Sequence, residues 1–334
     1  MLRVMSVCWP FDHNRYTVEA VLAHLVATHV DEVCIRTPVY YDHYDSPTDP
    51  TYHDRLASGA RALGMEVSLW PIVSLAYPEK MAESVWREYD RYKPVRIVLD
   101  AERRWVNLYG SNTKTFLLSL GIMPCPVGLG SYRRPSLQPQ IRWQTWLTTK
   151  VGGKYVISFQ GAQLYPIGWL QPRSVVHQFR LDINSHEDQH RSAGRSDISW
   201  LPFMPAFSEG LDPYGNMWYP RVDTMIAAIE YMQIRLGRRL VGLNWWSMDQ
   251  DLASDPKLRP LYEHLAGNVV PVPSYMTTAR AGYSNVRAGP GLSYPVVGHL
   301  VGGQKVTVVL EQAGWAKIHP TEDRWVSLTR ITNG

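Results

Sequence analysis

At 334 residues with 45% hydrophobic content, the chain can bury a large core, and its length predicts about two domains. No apolar run approaches the roughly 20 residues of a membrane helix, and a net charge of +4 implies no nucleic acid, allowing only a weak attraction to an anionic surface such as a cell wall. Three cysteines far apart in sequence, Cys8, Cys34 and Cys125, argue against a disulfide framework and for buried thiols.

The chain opens with MLRVMSVCWPFDHN, which lacks the basic start, apolar stretch and small-residue site of a secretory signal, so synthesis in the cytoplasm without its own export signal is expected. Within it Leu2 to Trp9 reads as a strand. Thr17 to Val30 reads as a helix capped by Thr17, with Val18, Val21, Leu22, Leu25 and Val26 on one face. The unit repeats: a strand from Glu32, a helix from Thr51 to a glycine stop at Gly64, a strand from Met65, and a helix opened by Pro78 in the first turn. RIVLDAE, residues 96–102, is the fourth strand. A helix at Thr113 to Leu120, a strand from Pro126, a short helix through Trp143 and Trp146, and a strand from Lys154 follow. Ser174 to Phe179 and Trp200 to Phe207 both read as strands, giving nine candidates for eight places. A helix at Asp223 to Gly237, a strand at Leu240 to Trp246 and a helix from Pro256 close the series.

Strands alternating with helices predict parallel pairing, and about eight units over residues 1–267 predict an α/β fold, a TIM-like (β/α)₈ barrel. A doubly wound open sheet is the competing architecture, but CWPFDHN stands where its glycine-rich phosphate turn would be. Residues 268–276, with two prolines, read as a stiff linker. Residues 277–334 carry short alternating runs broken by GPG, GG and AG turns, the pattern of a small all-β barrel.

In a barrel of this kind chemistry sits at the carboxyl ends of the strands. Asp100 and Glu102 stand there on the fourth, separated by one alanine. On an extended strand they project to one side, roughly 7 Å apart. A neighbouring carboxylate and an apolar wall raise a Glu pKa toward neutrality, as a general acid requires. The bland alternative is surface pairing with Arg103 and Arg104. Other residues at strand ends that could complete a site are Asp12, Tyr132, Gln160, Glu209, Trp246 and Asp249, with Tyr132 and Trp246 as stacking surfaces for sugar rings. Thirteen tryptophans and nineteen tyrosines exceed what a core requires, although many, such as Trp70 and Trp245, can be packing alone. HEDQH, His186 to His190, lacks a third ligand and helical periodicity, so no metal and no cofactor are expected.

The segment NVRAGPGLSYPVVGHL, followed by GQKVTVV, GWAKI and RWVSLTRI, resembles a bacterial SH3-type domain, which implies a cell-envelope module beside a catalytic domain. Arg324 stands where that family often has glycine, so no ligand preference is carried over. A strand ending in Asp-x-Glu, tethered to such a module, resembles glycoside hydrolase family 25, the lysozyme-type muramidases. That resemblance implies Glu102 as acid/base, Asp100 as its partner on the substrate's acetamido group, and Asp12 as a third acid. HQF and LDIN, within His177 to Asn184, are similar to short pieces of that family at a much shorter spacing. The expectation is a peptidoglycan hydrolase, an endolysin of phage type acting at the wall after release or on a virion. A non-catalytic wall-binding protein and a glycosidase for another amino-sugar polymer are the alternatives.

Overall fold

The computed structural model describes residues 4–8, 16–37, 50–101, 106, 108–131, 134–137, 141–164, 172–205, 222–246, 261, 275–280, 282–308, 310–312, 315–319 and 324–332. Strands β1 (Val4–Cys8), β2 (Glu32–Thr37), β3 (Glu66–Pro71), β4 (Ile97–Asp100), β5 (Val127–Ser131) and β6 (Phe159–Ala162) pair in parallel in chain order. Strand β7 has two pieces, Ser199–Trp200 beside β6 and Phe203–Pro205 beside β8 (Leu243–Trp246), and β8 returns to β1. Pro202 has no N–H for the ladder, which is why β7 breaks there while Asn244 still donates to its carbonyl at 2.8 Å. A bridge from Gln163 to Phe203 joins the second piece to β6, and the barrel closes.

Helices α1 (Val18–Ala27), α2 (Pro50–Ala62), α3 (Pro78–Tyr92), α4 (Thr113–Leu120), α5 (Trp143–Thr148), α6 (Pro172–Ser192) and α7 (Val222–Leu236) connect the strands. Their starts follow the local chemistry. The Thr17 hydroxyl accepts from the Ala20 N–H at 3.2 Å, and Pro78 opens α3. The predicted strand from Lys154 is corrected: Lys150–Val151 and Lys154–Tyr155 form a hairpin, because Gly152 and Gly153 both take positive φ (56° and 80°) and turn the chain back, and β6 starts later at Phe159.

The predicted strand at Ser174 to Phe179 is also corrected. It lies inside α6, whose 21 residues include HEDQH as well. Gln178, Asp182, His186 and His190 recur every four residues and are all buried, beside Val175, Phe179 and Ile183. The buried stripe of α6 is therefore half polar, and its helical period does not stand out as hydrophobicity. Among the described residues no group of three His, Cys, Asp or Glu is placed to hold a metal ion, and no helix is long and apolar enough to cross a membrane. Cys34 and Cys125 are thiols, the first buried, the second pushed up to about 11 by its half-buried setting. Of the helix predicted from Pro256, only Leu261 is described; it is helical and belongs to the barrel's core.

The carboxyl-terminal strands are antiparallel. Strand β9 (Tyr275–Ala279), whose first two residues fall in the predicted linker, pairs with β12 (Lys305–Val308) and β16 (Ile331–Thr332). A second sheet holds β10 (Tyr283–Arg287), β11 (Val296–Val301), β13 (Leu310–Gln312), β14 (Trp315–Lys317) and β15 (Trp325–Ser327). Val286, Leu300, Val308, Val326 and Ile331, drawn from both sheets, form one core, and among the described residues it shares none with the core of the barrel.

Candidate functional site at the carboxyl mouth of the barrel

The barrel interior has three levels. At the amino end, Glu32 accepts hydrogen bonds from Ser68 and, at 3.0 Å, pairs with Arg96, its own side chain only 1% exposed. In the middle, Cys34, Trp70, Val98, Phe159, Leu201 and Phe203 pack together, with the Trp70 and Phe203 rings 5.1 Å apart. Val98 lies in this interior cluster, so strand alternation turns Asp100, two residues on, toward the same axis at the carboxyl end.

Asp100 is 6% exposed. Its carbonyl accepts from the Val73 N–H, and the Ala101 N–H donates to Gly130, both at 3.0 Å, so the ladder holds the chain firmly through the end of β4. The next two strands carry glycine at this level, for Asp100 pairs with Gly130 and Gly130 with Gly161. A Cβ on Gly130 would lie 3.0 Å from the Leu99 carbonyl and 3.5 Å from the Asp100 Cα; one on Gly161 would lie 3.0 Å from Phe203 and 3.2 Å from Val98. Both distances are shorter than ordinary side-chain contacts, so a side chain there would press on its neighbours, and the two glycines let β4, β5 and β6 lie close beside the carboxylate. The loops after β3 and β4 are tied together by Asn112, whose side-chain amide donates to the Leu75 carbonyl at 2.9 Å.

The opposite face of β5 and β6 is a different environment. Gln160 is wholly buried; its amide donates to the Leu129 carbonyl (2.9 Å) and the Ser131 hydroxyl (2.7 Å), and its carbonyl oxygen faces His190 Nε2 at 3.5 Å. His186 and His190 lie against Trp200, with ring centroids 5.7 and 5.5 Å away. Burial, then the nearby His186, Arg239 and Arg195, pushes the His190 pKa down to about 3. Arg195, 1% exposed, donates to the carbonyls of Leu147 and Ile157 and to Asp197, and its guanidinium carbon lies 3.7 Å from the Tyr155 ring centre. It joins the hairpin, α5 and the entry to β7. Asp182, also fully buried, pairs with Arg134 of the loop after β5.

Two of the predicted site residues thus fall on opposite faces of the sheet: Asp100 toward the barrel axis, Gln160 toward α6. Gln160 has no surface left for a sugar. Glu102, Asp12, Tyr132, Glu209 and Asp249 lie outside the described residues, as does the side chain of Trp246. Trp70 and Trp245 are core, at 1% and 0% exposure. Sequence reasoning missed two tyrosines at the rim, Tyr77 and Tyr109, which are 53% and 37% exposed. The signal available was position: each stands just before a helix that follows a barrel strand.

Residues 282–330 match the family model of the bacterial SH3 domain. No curated protein sequence matches the chain. Among solved structures, the chain is similar to a family GH18 chitinase from Cycas revoluta, solved with allosamidin, at TM-score 0.55 and 12% identity over 80% of this chain and 100% of that one. It is also similar to a chitinase-like agglutinin from Robinia pseudoacacia, at TM-score 0.51 and 9% identity over 78% of this chain and 98% of that one. At these identities the likeness is one of fold: a TIM-like α/β barrel, here followed by an all-β domain of bacterial SH3 type.

Proposed function

We propose that the protein is a cell-wall glycan hydrolase, a peptidoglycan hydrolase of lysozyme or muramidase type, with Glu102 as general acid and Asp100 as its partner. The observation that carries this reading is Asp100 itself: a buried carboxylate on the axis side of β4 at the carboxyl mouth, with a second acid two residues further along the sequence. In the reaction, Glu102 gives its proton to the glycosidic oxygen as the bond to the anomeric carbon breaks, and water ends on that carbon. Asp100 has little surface of its own, which suits a carboxylate that orients the substrate's acetamido group and favours the protonated form of Glu102 by like-charge repulsion. The SH3-type domain, with 277–334 as its extent, 1–267 as the hydrolase domain and 268–276 as the connection, would hold the enzyme on the wall. A phage endolysin, made in the cytoplasm and released to the wall or carried on a virion, is the setting that fits.

A second reading, a barrel that binds glycan without turnover, draws on the Trp70–Phe203 contact that fills the interior below Asp100 and on a similar fold whose name is agglutinin. One experiment separates the two and also sorts peptidoglycan from chitin. Release of reducing sugars is measured from both polymers for the parent and for Glu102→Gln, which keeps size and hydrogen bonding but delivers no proton. The expected result is release from purified peptidoglycan, a fall of about 10² to 10⁴ in the variant, and unchanged pelleting of both proteins with walls. A variant as fast as the parent removes Glu102 from its role. A parent that pellets with walls yet releases nothing from either polymer leaves the binding reading in place.

A further inference from the structure

We infer that Tyr77 and Tyr109 form an aromatic ledge on the rim beside Asp100, on which the sugar rings of a glycan strand stack as it enters the mouth. The inference rests on the proposed glycan site and adds the residues that would grip its substrate.

The geometry starts at Asp100. Its carbonyl bonds the Val73 N–H at 3.0 Å, and from Val73 the chain runs four residues along the rim to Tyr77. Leu75, midway, accepts the bond from the Asn112 amide, and the Asn112 N–H donates to the Tyr109 carbonyl at 2.9 Å. These bonds laid end to end set the two tyrosine backbones at most about 20 Å apart, the reach of a short oligosaccharide. Tyr77 is the residue before the first turn of α3, and Tyr109 precedes the turn at Gly110–Asn112 that leads into α4, so both belong to the loops of the carboxyl mouth.

Single exposed apolar side chains are ordinary on a protein surface. Two tyrosines more than a third exposed, on adjacent mouth loops cross-tied by a side-chain amide, are a more specific arrangement. Val73 and Leu75 between them are wholly buried, so the rim segment is anchored and the exposed ring stands on fixed backbone. A phenol offers what the C–H side of a sugar ring binds: a broad apolar face. The Lys80 ammonium lies 5.9 Å from the Tyr77 ring centre, so a cation stands beside the ledge.

The test uses the full-length protein, with steady-state kinetics on soluble chito-oligosaccharides and on peptide-free peptidoglycan strands, and with affinity electrophoresis for binding alone. Tyr77→Ala and Tyr109→Ala should each raise KM about 3- to 10-fold while kcat stays within twofold, and Tyr77→Phe and Tyr109→Phe should keep the parental KM because the ring remains. Alanine variants with parental KM overturn the ledge, as does a joint fall in kcat and in thermal midpoint, which would mean that the tyrosines only support the loops. Binding of glycan without cleavage, lost in the alanine variants, keeps the ledge and sinks the hydrolase reading. A parent that neither binds nor cleaves either glycan overturns both.

Discussion

The two faces of strands β4 to β6 obey opposite rules. Toward the barrel axis the side chains thin out as the mouth is approached, from Val98 and Phe159 to the bare Gly130 and Gly161 beside Asp100. Toward the helices the same strands carry Leu99, Leu129 and Gln160, all without measurable exposure, and the Gln160 amide is tied to protein partners. The difference separates two uses of a buried polar residue. Behind the sheet, Gln160, Asp182 and Arg195 have their hydrogen bonds met by protein, as stability demands. At the mouth, Asp100 stands buried at the carboxyl end of β4, beside two neighbours in the ladder, Gly130 and Gly161, that carry no side chain.

Adding a side chain to the glycine face should have the largest effect. A Cβ built on Gly128, one step below Gly130 along the inner face of β5, would come within 2.1 Å of the Phe159 ring, and that ring is only 3% exposed with nowhere to go. Gly128→Val is expected to cost about 3 kcal/mol, the upper end for overpacking, with a matching fall in urea midpoint at unchanged m-value. A variant as stable as the parent would show that the interior yields easily, and the contrast between the faces would lose its steric half.

Next comes acid. The His190 pKa, pushed down to about 3, lies below its ordinary unfolded value near 6.5, so the unfolded chain binds the proton more readily. Stability is therefore full above pH 6.5 and drains away as pH falls toward 3. At pH 5 the loss is about 2 kcal/mol. The charged and titratable groups around it are His186, Arg195, Arg239 and Asp197; three of the four can add positive charge, and only Asp197 acts in the opposite sense. Urea unfolding at pH 7.5 and pH 5 should show the parent losing about 2 kcal/mol more than His190→Gln, which cannot take up the proton. Equal losses would mean that His190 is already hydrated and that the helix-facing layer is less dry than its burial implies.

The same contrast explains what was legible in the sequence. Strand alternation and helix caps are local, so the barrel order, the Thr17 cap, the Pro78 start and the carboxylate at the end of β4 could all be read from short windows. Which face of a strand meets the axis is a tertiary fact. Asp100 and Gln160 both stand near strand ends, and only packing distinguishes them. Helix α6 was hidden for a related reason: Gln178, Asp182, His186 and His190 take core positions, and the partner that offsets the charge of Asp182, Arg134, is distant in sequence. The SH3-type domain was the easiest part to recognise. Its glycine turns are local, and its strand pairs join neighbours such as β10 with β11 and β14 with β15.

The smallest expected effect is the one that tests the contrast most directly. Gln160→Met keeps the length of the side chain and the packing against α6, but it removes both amide hydrogen bonds and leaves the Ser131 hydroxyl and His190 Nε2 without that partner. Ser131 can turn its hydroxyl, so the penalty falls mainly on the Leu129 carbonyl and on the His190 ring, about 1 kcal/mol in all. If Gln160 belongs to the helix-facing layer, unfolding in urea registers that loss while KM for the glycan stays within twofold of the parent. The opposite pattern, parental stability with a raised KM, would turn Gln160 toward the mouth and make the two faces of β6 one continuous site.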